Sequence, residues 1–98
     1  LDDDVNLTAA WEERAESQNI AILTFNHVQD FQKVLPLLDK EVAIYIDSNL
    51  SPTVQGEIVA KQLYEQGFKT LYLATGYPRS HFGDLHWIKS VVGKEPPF

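Results

Sequence analysis

Cysteine is absent from the chain, which rules out disulfides, thiolate metal ligands and thiol nucleophiles. The sequence therefore carries no mark of its redox compartment. Positive charge is scarce, since eight Lys and Arg stand against 14 Asp and Glu for a formal net charge of −6, so nothing draws the chain to a phosphate backbone or an anionic bilayer. Nucleic-acid binding and direct membrane contact are disfavoured on that ground. No apolar run approaches the roughly 20 residues of a spanning helix, and no signal-peptide pattern is visible. The expectation is a soluble, cytoplasmic domain. What is present is 44% hydrophobic and 11% aromatic residues over 98 positions, enough for one small domain, 1–98, with its own core.

Helical and strand patterns alternate along the chain. In "VNLTAAWEERAESQ" the residues Leu7, Ala10, Trp11, Arg14 and Ala15 have helical spacing, with Asn6 as N-cap. "NIAILTF" reads as a short buried strand. Asn26 with Gln29 three residues on resembles a capping box for a helix carrying Val28, Phe31, Val34 and Leu35, and Pro36 should end it. "EVAIYI" is a β-branched apolar strand that stops abruptly on Asp47. Then "SPTVQGEIVAKQLYEQGF" predicts a helix capped by Ser51, with Pro52 in its first turn, Val54, Ile58, Val59 and Leu63 on one face, and Gly67 as its stop. "KTLYLATGY" is a second buried strand, "PRSHFGDLHWI" at best a short irregular helix broken by Gly83, and "KSVVGKEPPF" a last short strand. Continuously apolar strands between helices predict an α/β fold around a parallel sheet covered on both faces.

Four features at expected strand ends carry chemistry. They are the acidic cluster Asp2 and Asp3 after Leu1, the triplet Asp47-Ser48-Asn49, the pair Thr75-Gly76, and Lys94. In this order they resemble the receiver domain of bacterial two-component signalling, over nearly the whole chain, and Gly56 stands where that family commonly has a glycine. The resemblance implies a doubly wound, flavodoxin-like three-layer fold with strand order 2-1-3-4-5 and a site at the carboxyl ends of the strands. It implies that Asp47 is the phosphoacceptor, a carboxylate forming an acyl phosphate. Mg²⁺ would be held by Asp3 and Asp47 directly, by Asp2 through water and by the backbone carbonyl of Asn49. Lys94 would pair with the phosphoryl oxygens, Thr75 would donate its hydroxyl to one of them, and Gly76 would leave room for the phosphodonor. Such a domain catalyses its own phosphotransfer and dephosphorylation. The implied partner is a histidine kinase or phosphotransfer domain, with homo-oligomerisation as a further association, and the implied parent is a hybrid sensor kinase that would tether the domain to the membrane.

Some positions depart from the family pattern. Val91 replaces the usual aromatic three residues before the Lys, leaving Tyr77 as the available switch residue, and Glu95 intervenes between Lys94 and Pro96. The loop "LSPTVQG" lacks a Pro directly after its first apolar residue, and the last helix of the fold is missing after "KEPPF". These departures support an alternative, a degenerate receiver acting as a protein-interaction module. A haloacid-dehalogenase-like phosphatase ranks below both, because it expects a second Asp where Asn49 stands. In the expected topology the first strand lies at the centre of the sheet, so a start at its last residue predicts an unpaired gap there, with Leu1 an artificial or proteolytic start or a neighbouring chain filling the space. His27, His81 and His86 lack metal-ligand spacing and read as surface or packing residues, and Trp11 and Trp87 as core or interface residues.

Overall fold

The computed structural model describes residues 1–98. Three strands, β1 (Ile44–Ile46), β4 (Leu71–Ala74) and β5 (Ser90–Val92), form a parallel sheet in the order β1-β4-β5. A two-stranded antiparallel ribbon of β2 (Asn49–Ser51) and β3 (Val54–Gln55) follows β1. The helices are α1 (Val5–Ser17), α2 (Val28–Val34) and α3 (Gly56–Glu65), with short 3-10 turns at Leu35–Leu37 and Arg79–His81. The α/β class with a parallel sheet is thus as the sequence predicts. None of the helices is long and apolar enough to cross a membrane.

Side-chain alternation divides the sheet into two differently packed faces. Ile44 and Ile46 of β1 and Leu71 and Leu73 of β4 are buried in a cluster with Val59, Ala60 and Leu63 of α3 and with Phe31, Phe68 and Leu85. Phe68, Ile46, Leu71 and Leu73 are the largest fully buried side chains, each worth about 1.5–3 kcal/mol for its apolar body. On the opposite face Tyr45 and Tyr72, partners in the β1–β4 register, stack with ring centroids 4.6 Å apart. Trp11 of α1 meets Tyr45 edge-on at 5.4 Å, so α1 and α3 cover opposite faces.

The chain reaches one further position in this sheet. The Leu1 nitrogen donates to the Tyr45 carbonyl at 2.8 Å, and the Asp47 N–H donates to the Leu1 carbonyl at 2.9 Å. Those two bonds are the pattern of a parallel ladder, and they set Leu1 opposite Ile46 and Asp2 opposite Asp47. On the other side the Asp2 N–H donates to the Phe25 carbonyl at 3.0 Å.

Several boundaries differ from expectation. The segment 20–25 is not a strand: its backbone bonds are the Ile20 N–H on the Ala15 carbonyl, which ends α1, and the Asp2 N–H on the Phe25 carbonyl; Leu23 there is 69% exposed. Between this segment and β1 lies an apolar cavity of about 410 Å³, lined by Ile22, Phe25, Val42 and Tyr45 among others and closed at one end by Leu1 and Asp2. α1 is capped by Asp4, whose carboxylate accepts from the Asn6 and Leu7 N–H groups, and not by Asn6; its buried face is Thr8, Trp11 and Ala15. α2 has no side-chain cap, since Asn26 turns inward to donate to the Asp2 carbonyl and Thr8 Oγ1. α3 begins at Gly56 and not near Ser51, because Pro52 and Thr53 form the turn of the β2–β3 ribbon, a conformation that Pro favours as readily as a first helical turn. Ile58, expected on its buried face, is 49% exposed. Gly67 does stop α3, with φ +104° and its N–H on the Tyr64 carbonyl.

Candidate functional site

Parallel strands bring their carboxyl ends to one edge, and each strand delivers a polar residue there. Asp47 follows β1, Thr75 follows β4 with its N–H on the Val92 carbonyl at 2.9 Å, and Lys94 lies two residues beyond β5. Asp2 arrives beside Asp47 through the Leu1 ladder. The structure therefore gathers residues 2, 3, 47, 75 and 94 from across the whole chain.

Lys94 Nζ donates to Asp2 Oδ2 at 2.8 Å and to Asp47 Oδ1 at 2.6 Å. Both carboxylates are buried, at 6% and 7% exposure, so these are charge-assisted bonds in a partly desolvated setting. Burial depresses the Lys94 ammonium, but the hydrogen bonds and charges of Asp2 and Asp47 outweigh it and raise its pKa above 10.5. Asp3 points toward solvent, and carboxylate oxygens of Asp2, Asp3 and Asp47 all lie within 4.8 Å of one another. Partial desolvation, followed by the charges of Asp2 and Asp47, raises the Asp3 pKa. The Leu1 amino group is shifted the other way, to about 6, because burial outweighs the pull of those two carboxylates.

Three ionised carboxylates against one ammonium leave the cluster two charges negative. Hard oxygen donors with that excess suit a divalent cation of the Mg²⁺ type, and Asp3 and the second oxygen of Asp47 are not engaged by Lys94. Asn49 opens β2 with an exposed side chain, its backbone in register with Gln55.

No family model, curated protein or solved structure matches the chain.

Residues that sequence reasoning did not assign to the site hold it in place. Trp11 Nε1 donates to the Lys94 carbonyl at 2.8 Å, and Arg14 Nε to the Phe98 carbonyl at 2.8 Å, so α1 anchors the segment that carries the lysine. Gly56 packs against the Asp47 carbonyl so closely that a Cβ there would fall 1.7 Å from the oxygen, and its N–H binds the Ser48 carbonyl at 2.9 Å. Ser48, 3% exposed, places Oγ 3.0 Å from Thr75 Oγ1. Gly56 was marked in the sequence only by its place in the resemblance, within a helix expected to start near Ser51; for Ser48 and Trp11 nothing distinguished them from ordinary strand-end and core residues. Gly76 is exposed and a side chain there would meet nothing within 4 Å. His27, His81 and His86 are all exposed, as expected of surface residues.

Proposed function

We propose that the chain is a phosphoacceptor domain of receiver type, taking a phosphoryl group on Asp47 from a histidine kinase or phosphotransfer domain. The observation that carries this reading is the convergence of Asp2, Asp47 and Lys94, with Nζ within 2.8 Å of both carboxylates, at the carboxyl edge of a parallel sheet. Its flavodoxin-like topology is supported by the backbone order Phe25, Leu1–Asp2, β1, β4, β5, which corresponds to 2-1-3-4-5 if residues 20–25 stand for strand two and Leu1–Asp2 for the end of strand one.

In the proposed reaction an Asp47 carboxylate oxygen attacks phosphorus, a P–O bond forms, and the P–N bond to the donor imidazole breaks with its electron pair leaving on nitrogen. Phosphoryl transfer depends mainly on positioning and charge neutralisation, which this chain divides among few groups. Lys94 moves from bridging two carboxylates to pairing Asp2 and a phosphoryl oxygen, Thr75 supplies a hydroxyl, and Gly56 fixes the backbone of the nucleophile. Bound Mg²⁺, held by Asp3 and Asp47 with Asp2 behind them, would neutralise the charge that gathers on the phosphoryl oxygens. The Asn49 carbonyl remains part of the proposed ligand set.

Val91, half-buried in β5 opposite Leu73, favours the second reading, a contact module without the usual aromatic switch. The deciding experiment is incubation with acetyl phosphate and Mg²⁺, read by intact mass, beside Asp47→Ala. One phosphoryl mass gained by the parent chain and lost in the variant supports the phosphoacceptor; no gain by a folded chain leaves the contact module.

A further inference from the structure

Ser48 and Thr75 form a buried hydroxyl pair directly beside Asp47. Each is 3% exposed, and their oxygens lie 3.0 Å apart. Their backbones are fixed on both sides, Ser48 by the Gly56 N–H on its carbonyl and Thr75 by its own N–H on the Val92 carbonyl, both at 2.9 Å. Only the side chains are free to rearrange. Thr75 Oγ1 also accepts from the Tyr77 N–H at 3.2 Å.

We propose that Ser48 is a positioning residue that holds the Thr75 hydroxyl in a resting orientation and so sets how readily the site accepts a phosphoryl group. This rests on the phosphoacceptor reading of Asp47 and adds a regulator to the same site. A hydroxyl has one proton to give. Thr75 Oγ1 accepts from the Tyr77 amide and keeps its own proton; either oxygen of the pair can be the donor, and in the proposed resting orientation Thr75 is the donor and Ser48 Oγ, 3.0 Å away, its acceptor. A phosphoryl group on Asp47 brings new acceptor oxygens next to the pair, and Thr75 can donate to one of them only by giving up Ser48. The two acceptors compete for a single proton, and removing Ser48 Oγ removes the resting one.

The test measures binding of beryllofluoride, a phosphoryl mimic, at saturating Mg²⁺ by ¹⁹F NMR, in the parent chain, Ser48→Ala and Ser48→Thr. One ordinary hydrogen bond of competition corresponds to about a five-fold change. Ser48→Ala should bind about five-fold tighter, and Ser48→Thr, which restores a hydroxyl, should return to within about two-fold of the parent. If Ser48→Ala does not refold, Ser48→Cys carries the same expectation, because a thiol is a weak acceptor. Binding by the parent with unchanged or weaker binding by the alanine variant overturns the role of Ser48 and leaves the phosphoacceptor reading standing. Failure of the folded parent to bind overturns both. A melting temperature that falls in Ser48→Ala while its affinity rises separates positioning from mere packing.

Discussion

Replacing Gly56 by alanine isolates the contact that fixes the Asp47 backbone. A Cβ at this position falls 1.7 Å from the Asp47 carbonyl oxygen, 2.7 Å from its carbon and 3.1 Å from Ile46 Cγ2. The first two are backbone atoms, so no rotamer change relieves them. To reach a tolerable 3.0 Å, α3 and the end of β1 must separate by about 1.3 Å. That movement stretches the Gly56 N–H bond to Ser48 and loosens Val59 and Leu63 against Ile44 and Ile46. Overpacking costs about 1–3 kcal/mol, and a backbone-on-backbone clash belongs at the top of that range. Alanine regains up to about 1 kcal/mol of helix propensity, leaving about 2 kcal/mol of net loss. For a domain of this size that lowers Tm by about 10 °C. Gly76→Ala is the control, because a side chain there meets nothing within 4 Å, and it should stay within about 0.5 kcal/mol of the parent. Thermal melts and urea titrations followed by circular dichroism read both variants. A Gly56→Ala protein melting within about 3 °C of the parent would refute the reasoning, since propensity would then have matched the clash.

Lys94→Met leaves Asp2 and Asp47 without their counter-charge, and removing one partner of a buried ion pair costs about 3–5 kcal/mol, here toward the lower end because the Lys94 side chain is 36% exposed. Since the Lys94 pKa is raised in the folded state, its contribution is fully present below 10.5 and is lost as pH rises through the folded value, so the parent should lose more stability than Lys94→Met as pH is raised above 10.5; parallel losses in the two proteins would count against it. Trp11→Phe removes the N–H bond to the Lys94 carbonyl and should cost about 1 kcal/mol together with weaker Mg²⁺ binding in a titration followed by Trp87 fluorescence; unchanged metal affinity would show that α1 does not position the lysine.

The elements most legible in the sequence are those whose partners also lie within it. β1 and β4 are continuous apolar runs that pair with each other, and Gly67 ends α3 because the required positive φ is one glycine adopts freely. The reading of residues 20–25 as a strand failed for a non-local reason: β structure needs a ladder of bonds to a neighbour, and the segment makes one such bond, to the Asp2 N–H, while the Ile20 N–H turns back to the Ala15 carbonyl of α1. At 49–56, Ser51-Pro52 fits both a helix start and a turn, and local chemistry does not choose between them. The fit of Gly56 to the Asp47 carbonyl does choose, because it sets where α3 begins. In the acidic site, the residue types at strand ends were visible in advance, whereas the hydroxyl pair and the Trp11 anchor depend on tertiary neighbours 27 and 83 positions away.

Charge counting ties the proposed chemistry to a cation independently of any resemblance. With Asp2, Asp3 and Asp47 ionised and Lys94 protonated, the metal-free cluster stands at −2. An acyl phosphate on Asp47 replaces a single negative charge by about two, so the same residues would stand near −3 within a space where the carboxylate oxygens already lie within 4.8 Å. Lys94 cannot offset that increase, because it is already bonded to both buried carboxylates and has only three protons to share among Asp2, Asp47 and the phosphoryl oxygens. One divalent cation would bring the phosphorylated cluster to about −1. A chain that gained phosphoryl mass equally well with all divalent ions chelated would contradict this balance, since no other cationic side chain is hydrogen-bonded to the three carboxylates.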